Sequence, residues 1–227
     1  MKSSKSELES TPIVQNETNQ QSDIAFYHFL QQPLMLMPFL DLFAAMCGNG
    51  MLESMLEPHL KDYGASEMDV GITFLVYGCL YMGASLIVGQ VIDNCGNPLL
   101  FCTVGNALFI IVFTSIGPLP FLSMTLTLGM IKGVMAVAGI SYATLVVSSY
   151  SLAQHNLIKF GYKNNMQTHN MISGIWLSAF SLGNFVGPTA AGILVDKYGF
   201  QWMTLSFFIL FSLVTVKDMI EAVVEKL

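Results

Sequence analysis

Residues 173–200 read SGIWLSAFSLGNFVGPTAAGILVDKYGF, and this stretch indicates the fold class. Up to Val195 it carries no charged side chain, and it is longer than the roughly 20 apolar residues that a helix needs to cross a bilayer. Gly183, Gly187 and Ala191 recur every fourth position, which places small side chains on one helix face, where another membrane helix can approach closely. The stretch therefore predicts a membrane-spanning helix.

Similar apolar runs continue along the chain. Of its 227 residues 53% are hydrophobic and only 11% are charged, and the mean hydropathy is +0.60, which excludes an ordinary soluble domain. Barrel strands are excluded because alternating segments would not give such continuous runs. We predict an all-α integral membrane protein with six transmembrane helices, at residues 34–52, 71–92, 98–117, 121–152, 171–195 and 200–216.

Polar sequence flanks these spans and sets the domain boundaries. Residues 1–30 are rich in Ser, Gln, Asn and Glu, which predicts a disordered tail. Residues 31–218 form the predicted six-helix domain, and residues 219–227 form a short second tail. A net charge of -6 and the lack of any arginine argue against nucleic acid as a partner.

The distribution of lysines predicts the orientation in the membrane, because cytoplasmic loops are enriched in basic residues. An inside amino terminus puts six lysines in cytoplasmic segments, at positions 2, 5, 159, 163, 217 and 226. Only Lys61 and Lys197 then fall on the other side. We therefore expect both termini to be cytoplasmic.

A repeated pattern, GxxxDxxG, occurs as GQVIDNCG at 89–96 and as GILVDKYG at 192–199. The copies lie three helices apart and at span ends, so their turns fall on opposite membrane faces, as an inverted three-plus-three repeat requires. We expect the first glycine of each copy to permit close helix packing and the last to permit the turn. We expect the aspartate to accept hydrogen bonds from a neighbouring helix start. These positions are Gly89, Asp93, Gly96, Gly192, Asp196 and Gly199.

The two motifs together resemble those of the major facilitator superfamily. Residues 89–96 are similar to its loop signature, and residues 183–192, with Pro188, are similar to its GxxxGPxxGG antiporter motif. The chain departs from these patterns at Ala191, where the motif has glycine, and at Asn94 and Asn97, where the loop signature is usually basic.

Within that superfamily, residues 48–60 and 173–200 most resemble the second half of the vesicular amine and polyamine transporter family. The resemblance implies half of a major facilitator fold, with residues 1–30 similar to the central cytoplasmic linker and the first six helices absent. It also implies proton-coupled antiport of a small organic cation by alternating access. A second six-helix half or self-association would then be needed to complete the site.

Ionisable groups inside spans indicate candidate proton or substrate sites, because they are costly in lipid. Glu53 ends the first span, and Asn49 and Glu57 lie one turn before and after it on nearly the same helix face. The family's MLEP segment fits either 51–54 or 55–58. Depth in the span makes Glu53 the first choice for the cation or proton site and Glu57 the reserve. The alternative is that Glu53 is simply hydrated at the interface.

Two further ionisable groups lie within spans. Asp41 is about 18 Å from Glu53 along a straight helix, so it is expected to face a neighbouring helix or the missing half. Lys132 could neutralise a carboxylate, but we expect its long side chain to snorkel to the interface.

Aromatic rings that face a cavity can bind organic cations. The candidates by position are Tyr77, Tyr81, Tyr142 and Trp176, although most such rings in membrane helices serve packing or interface belts. Where monoamine members of the family have acidic residues, this chain has Ser141 and Leu177. That departure favours a polyamine-like or orphan branch.

The sequence leaves two other functions open, a non-transporting half that acts as a membrane adaptor or regulator, and a major facilitator carrier of anionic metabolites. No nucleophile and base pair, phosphate loop or metal cluster is evident in the sequence, so we expect neither enzymatic activity nor a cofactor or metal. The four cysteines lack metal-ligand spacing and are expected to be small packing residues. The membrane could be that of a vesicle or another intracellular compartment, or the plasma membrane.

Overall fold

The computed structural model describes residues 33–117, 127–160 and 166–224. Within these ranges the chain is helical, without strands, which confirms the predicted fold class. The predicted tail at 1–30, the start of the fourth predicted span and residues 225–227 lie outside the described residues. The six helices are α1 Pro33–Asp62, α2 Glu67–Cys95, α3 Pro98–Ile116, α4 Leu128–Lys159, α5 Met166–Tyr198 and α6 Phe200–Val224.

The first five of these helices are long and apolar enough to cross a membrane. Helix α6 contains the sixth predicted span, 200–216, but is not among these five. Its last third carries Lys217, Asp218 and Glu221 and continues to Val224, so the helix crosses the predicted boundary at residue 218. The first part of α6 is thus apolar and its last part is charged.

Side-chain capping fixes the starts of α2 and α3. Ser66 and Asp69 form a capping box at the start of α2, in which the Ser66 hydroxyl accepts from the Asp69 amide. At the start of α3, the Leu100 amide donates to Asn97 Oδ1 at 3.4 Å. The expected capping role of Asp93 is therefore wrong, since its side chain is exposed and the cap is Asn97, one residue before Pro98. Asp196 is exposed as well.

Both copies of the repeated motif end in the turn that the sequence predicts. Gly96 has φ 67° and Gly199 has φ 85°, a left-handed conformation that side chains with a β-carbon disfavour. Each glycine amide donates to a carbonyl four residues back, Ile92 for Gly96 and Val195 for Gly199, at 2.9 Å in both cases. The two corners are therefore built in the same way, as an internal repeat requires.

Helix pairing follows the inverted repeat. Helix α1 packs most extensively against α5, and α2 packs most extensively against α4. A shift of three helices converts the first pair into the second, because α1 corresponds to α4 and α5 to α2. This arrangement is consistent with half of a major facilitator fold.

The close helix contacts lie at other glycines than expected. A β-carbon on Gly187 would be 2.7 Å from Cys47 Cα in α1, and one on Gly183 would be 2.5 Å from Met46 Cβ. A β-carbon on Gly89 or Gly192 would meet only ordinary van der Waals contacts, at 3.9 Å and 3.7 Å. The close-packing role expected of Gly89 and Gly192 is therefore wrong, and the antiporter-like motif provides it instead. Whether a glycine lies at a close helix contact depends on whether its helix face is turned toward a neighbouring helix.

Pro188 lies within the continuous helix α5 and packs onto Gly50 of α1, whose added β-carbon would lie 2.7 Å from the proline Cδ. Helix α1 is the most buried of the apolar helices, whereas α2 and α5 are the least buried. Phe109, Phe113 and Phe211 are fully buried and stack between α3 and α6. The core therefore lies around α1 and between α3 and α6, and broad apolar faces of α2 and α5 remain uncovered.

Candidate substrate and proton site

Four helices bring polar and aromatic side chains together beside the second half of α1. Asn49 Nδ2 donates to Glu53 Oε1 at 2.9 Å, one turn further along the helix. Tyr77 of α2 donates its hydroxyl to Asn49 Oδ1. Asn49 and Tyr77 are buried, while Glu53 is exposed. The amide of Asn49 therefore connects a buried phenol to an accessible carboxylate.

Two more tyrosines extend this cluster. The ring of Tyr142, from α4, lies 5.0 Å from that of Tyr81 and 6.3 Å from that of Tyr77, both on α2. The Tyr142 hydroxyl donates to Met46 Sδ at 3.3 Å, and Asn184 of α5 approaches the same sulfur at 3.6 Å. We call Asn49, Glu53, Tyr77, Tyr81 and Tyr142 the Glu53 cluster. Its chemistry, an accessible carboxylate beside aromatic rings, suits a small cation.

Gly139 of α4 makes the close approach of α2 and α4 possible at this cluster. A β-carbon there would lie 3.2 Å from the Tyr81 amide nitrogen and would overlap the Tyr77 carbonyl oxygen. The glycine therefore lets the α2 backbone come close enough for Tyr77 and Tyr81 to meet α1 and Tyr142. Gly139 could not be predicted from the sequence, because a lone glycine in an apolar helix gives no signal of its own.

Three of the predicted site residues lie elsewhere. Glu57 is exposed and pairs with Lys61 at 2.8 Å on the surface of α1. Trp176 packs edge-on against Tyr150 at 6.1 Å and stacks on Phe180 at 5.5 Å, away from the Glu53 cluster. The described ring contacts of Trp176 are thus with other aromatic side chains, and its indole nitrogen is buried without a hydrogen-bond partner among the described residues. Asp41, the third, faces neighbouring helices, as the first of its two alternatives predicts.

Asp41 belongs to a second polar cluster, between α1, α3 and α6. Lys217 Nζ contacts Asp41 Oδ2 at 2.8 Å and Asp218 Oδ1 at 2.7 Å. Asn106 of α3 donates to Asp41 Oδ1 at 3.3 Å and to Asp218 Oδ2 at 2.8 Å. Asp41, Asn106 and Asp218 are fully buried. We call these four residues the Asp41 cluster.

Sequence reasoning missed three members of the Asp41 cluster. Lys217 and Asp218 lie just past the sixth predicted span, where the lysine counts among the residues predicted to be cytoplasmic. Asn106 is an uncharged residue inside the third span. A polar amide in a membrane helix was the one available signal, since such groups need a hydrogen-bonding partner.

Lys132 does not simply snorkel. Its ammonium contacts Asp69 Oδ1 at 2.8 Å, and about a third of each side chain is exposed. The two alternatives for Lys132 therefore combine, since its partly exposed ammonium neutralises a carboxylate and the ion pair joins α4 to the capped start of α2. Its position at a helix start explains the result, because a lysine stem that reaches toward the interface meets the capping carboxylate there.

Comparison with known families is decisive for the class of protein. Residues 2–162 match the family model described as Major Facilitator Superfamily, which is more than half of the chain. The chain belongs to the major facilitator superfamily. Residues 133–219 also match the model described as Sugar (and other) transporter. A major facilitator chain is a multi-pass membrane protein of a transporter family and not an enzyme, and the five apolar helices agree with this.

Curated relatives of this major facilitator chain agree with the resemblance seen in the sequence. It is 26% identical over 144 residues to the MFS-type transporter SLC18B1 of Rattus norvegicus, covering 63% of this chain and 32% of the relative. It is 28% identical over 140 residues to the MFS-type transporter SLC18B1 of Homo sapiens, covering 59% of this chain and 29% of the relative. The match therefore spans about a third of the length of these relatives.

Proposed function

We propose that this chain forms the substrate-binding half of a carrier that exchanges a small organic cation, such as an amine or polyamine, for protons by alternating access. The observation that carries the proposal is the Glu53 cluster. Glu53 is an accessible carboxylate whose neighbour, Asn49, is held by Tyr77. The carboxylate can exchange a proton for a substrate cation, and the nearby ring faces add cation–π attraction.

The surroundings of Glu53 favour it over Glu57 as the site of cation and proton exchange. Glu53 is held by an amide within a buried hydrogen-bonded chain, whereas the Glu57 carboxylate is already neutralised by Lys61 on an exposed surface. A carboxylate paired with a surface lysine has less attraction left for a cation. Glu53 is therefore the proposed exchange site, and Glu57 is the matched control.

The test is calorimetric titration of spermidine into the purified chain in lipid nanodiscs. We expect Glu53→Gln to weaken binding at least tenfold, about 1.4 kcal/mol, because the amide keeps the shape but loses the charge. Glu57→Gln should bind like the unaltered chain. Equal affinity in the two variants would remove Glu53 from the site. Binding of citrate in place of spermidine would favour a carrier of anionic metabolites.

We further propose that the chain needs a partner for transport, either a second copy or another six-helix half. Helices α2 and α5 leave apolar faces uncovered, with Leu75, Met82, Leu86, Leu177 and Phe185 exposed. Carriers of this kind place their substrate between two halves. The adaptor or regulatory half remains the alternative, and it predicts association without transport.

Liposomes with the chain at known oligomeric state separate these functions. We expect no proton-driven spermidine uptake by monomers, and uptake sensitive to Glu53→Gln once the chain is associated. Uptake by a demonstrated monomer would refute the need for a partner. Associated chains that bind spermidine but never transport it would favour the adaptor. We also propose that residues 1–30 and 219–227 are cytoplasmic, in the orientation that the lysine distribution predicts.

A further inference from the structure

The Asp41 cluster carries an unbalanced charge. It contains two carboxylates, Asp41 and Asp218, and one ammonium, that of Lys217. Both carboxylates contact the same nitrogen and the same Asn106 amide, so they lie side by side. With every group ionised the cluster has a net charge of -1. A buried net charge is costly, and neighbouring carboxylates resist joint ionisation.

The cluster also lacks hydrogen-bond donors. An ammonium has three donors, and Lys217 donates hydrogen bonds to Asp41 Oδ2 at 2.8 Å and to the Met37 carbonyl at 3.3 Å. Its nitrogen also lies 2.7 Å from Asp218 Oδ1, but that oxygen is buried without a hydrogen-bond partner among the described residues. The two donors of the Asn106 amide go to the two carboxylates. The four carboxylate oxygens have further acceptor sites, and Asn106 Oδ1 is buried without a hydrogen-bond partner among the described residues.

One proton corrects both deficits. It removes the excess negative charge, and it converts a carboxylate oxygen into an O–H donor beside oxygens that can accept it. It needs almost no space, whereas a metal ion would have to share the carboxylates with the ammonium already between them. The pattern of two adjacent carboxylates sharing one proton is a general solution to their repulsion.

Among the residues that the structure describes, the other titratable groups near the cluster do not supply this charge. Glu221 lies one turn further along α6 and is acidic, so it adds no positive charge. Cys102 lies one turn before Asn106 on α3, and its thiol contacts the Ser148 hydroxyl of α4 at 3.2 Å. On α4, His155 is exposed beyond Leu152. Lys217 is the basic residue that contacts the two carboxylates.

We propose that Asp41 and Asp218 jointly bind one proton at neutral pH, in a site held by Lys217 and Asn106. This site is separate from the Glu53 cluster, since Asp41 lies twelve residues before Glu53 on α1, about 18 Å away along the helix axis. It bridges α1, α3 and α6, whereas the Glu53 cluster joins α1 to α2 and α4. The assignment does not depend on what the chain transports.

The test is infrared absorption of protonated carboxyl groups in the purified full chain in lipid nanodiscs at neutral pH. Asp41→Asn and Asp218→Asn should each remove the absorption of one carboxylic acid. In each variant the remaining aspartate is ionised, because the Lys217 ammonium balances its charge. The double variant should lose that same single signal and no more. Lys217→Met should add the absorption of about one more carboxylic acid, because Asp41 and Asp218 both lose the positive charge that favours ionisation. Asp93→Asn, at an exposed helix end, should change nothing.

The two single variants and the double variant together show whether the proton is shared. Circular dichroism confirms that each variant is folded. An unchanged signal in either single variant would refute a shared proton, because the two carboxylates would then titrate independently. Loss of two signals in the double variant would refute it as well. Replacement of choline by Na⁺ in the buffer should leave the signal intact. Disappearance of the signal in Na⁺ would show a metal cation in the site and overturn the proposal.

Discussion

Gly139→Ala tests whether the close approach of α2 and α4 builds the Glu53 cluster. The new β-carbon would overlap the Tyr77 carbonyl oxygen and lie 3.2 Å from the Tyr81 amide nitrogen. Both neighbours are backbone atoms, so a side-chain rotation cannot relieve the overlap. The helices must separate, and Tyr77 must move with its carbonyl away from Asn49. We expect lower stability and weaker spermidine binding together.

Two opposing effects determine how much Gly139→Ala changes the free energy of unfolding. Alanine favours a helix over glycine by about 1 kcal/mol, while overpacking costs about 1–3 kcal/mol. Gly133→Ala on the same helix is the matched control, because its β-carbon would meet nothing within 4 Å. The helix-propensity gain is the same in both variants and cancels in their comparison. Gly139→Ala should therefore be less stable than Gly133→Ala by about 1–3 kcal/mol.

Thermal unfolding of both variants in the same detergent measures the difference, and calorimetry with spermidine measures the site. We expect Gly139→Ala to unfold at a lower temperature than Gly133→Ala and to bind spermidine more weakly. Equal unfolding temperatures would refute the close contact between α2 and α4. Lower stability with unchanged binding would refute the connection between that contact and the position of Tyr77.

Two further predictions concern the helix ends and the orientation. Gly96→Ala should lower the free energy of unfolding by roughly 1–2 kcal/mol because of the left-handed backbone there. Gly174→Ala, in a helical and open position, should raise it by up to about 1 kcal/mol, and equal unfolding temperatures of the two variants would contradict the turn. Single cysteines introduced at Lys61 and Lys159, in a chain lacking its own cysteines, should react with exterior reagents only at position 61. Labelling of position 159 alone would reverse the predicted orientation.

The fold class could be predicted from the sequence because apolar run length is a local property. Each span needs a certain number of consecutive apolar residues, and neighbouring helices do not change that requirement. The turns at Gly96 and Gly199 were predictable for the same reason, since the glycine and the preceding span end are adjacent in the chain. The motif spacing also sufficed to indicate the superfamily, which the family match confirms.

Part of the candidate site could also be predicted. Asn49 and Glu53 are one helical turn apart, so their contact follows from helix geometry alone. The partnership of Asn49 with Tyr77 and of Tyr142 with Tyr81 depends on how α1, α2 and α4 are placed, which no local rule provides. Whether the cluster binds a cation stays a prediction.

The sequence by itself determined how many apolar segments exist, where they turn and which carboxylates are costly in lipid. Only the tertiary structure decided which glycines let two helices approach closely and which carboxylates share a lysine. Gly89 and Gly187 both belong to motifs for which the sequence predicts close helix packing. An added β-carbon would contact the backbone of a neighbouring helix at Gly187 but only a side chain at Gly89. Asp41 and Lys217 are far apart in sequence and 2.8 Å apart in space. The physical reason is that helix packing depends on the rotation of each helix about its axis, which is fixed by all neighbouring helices together.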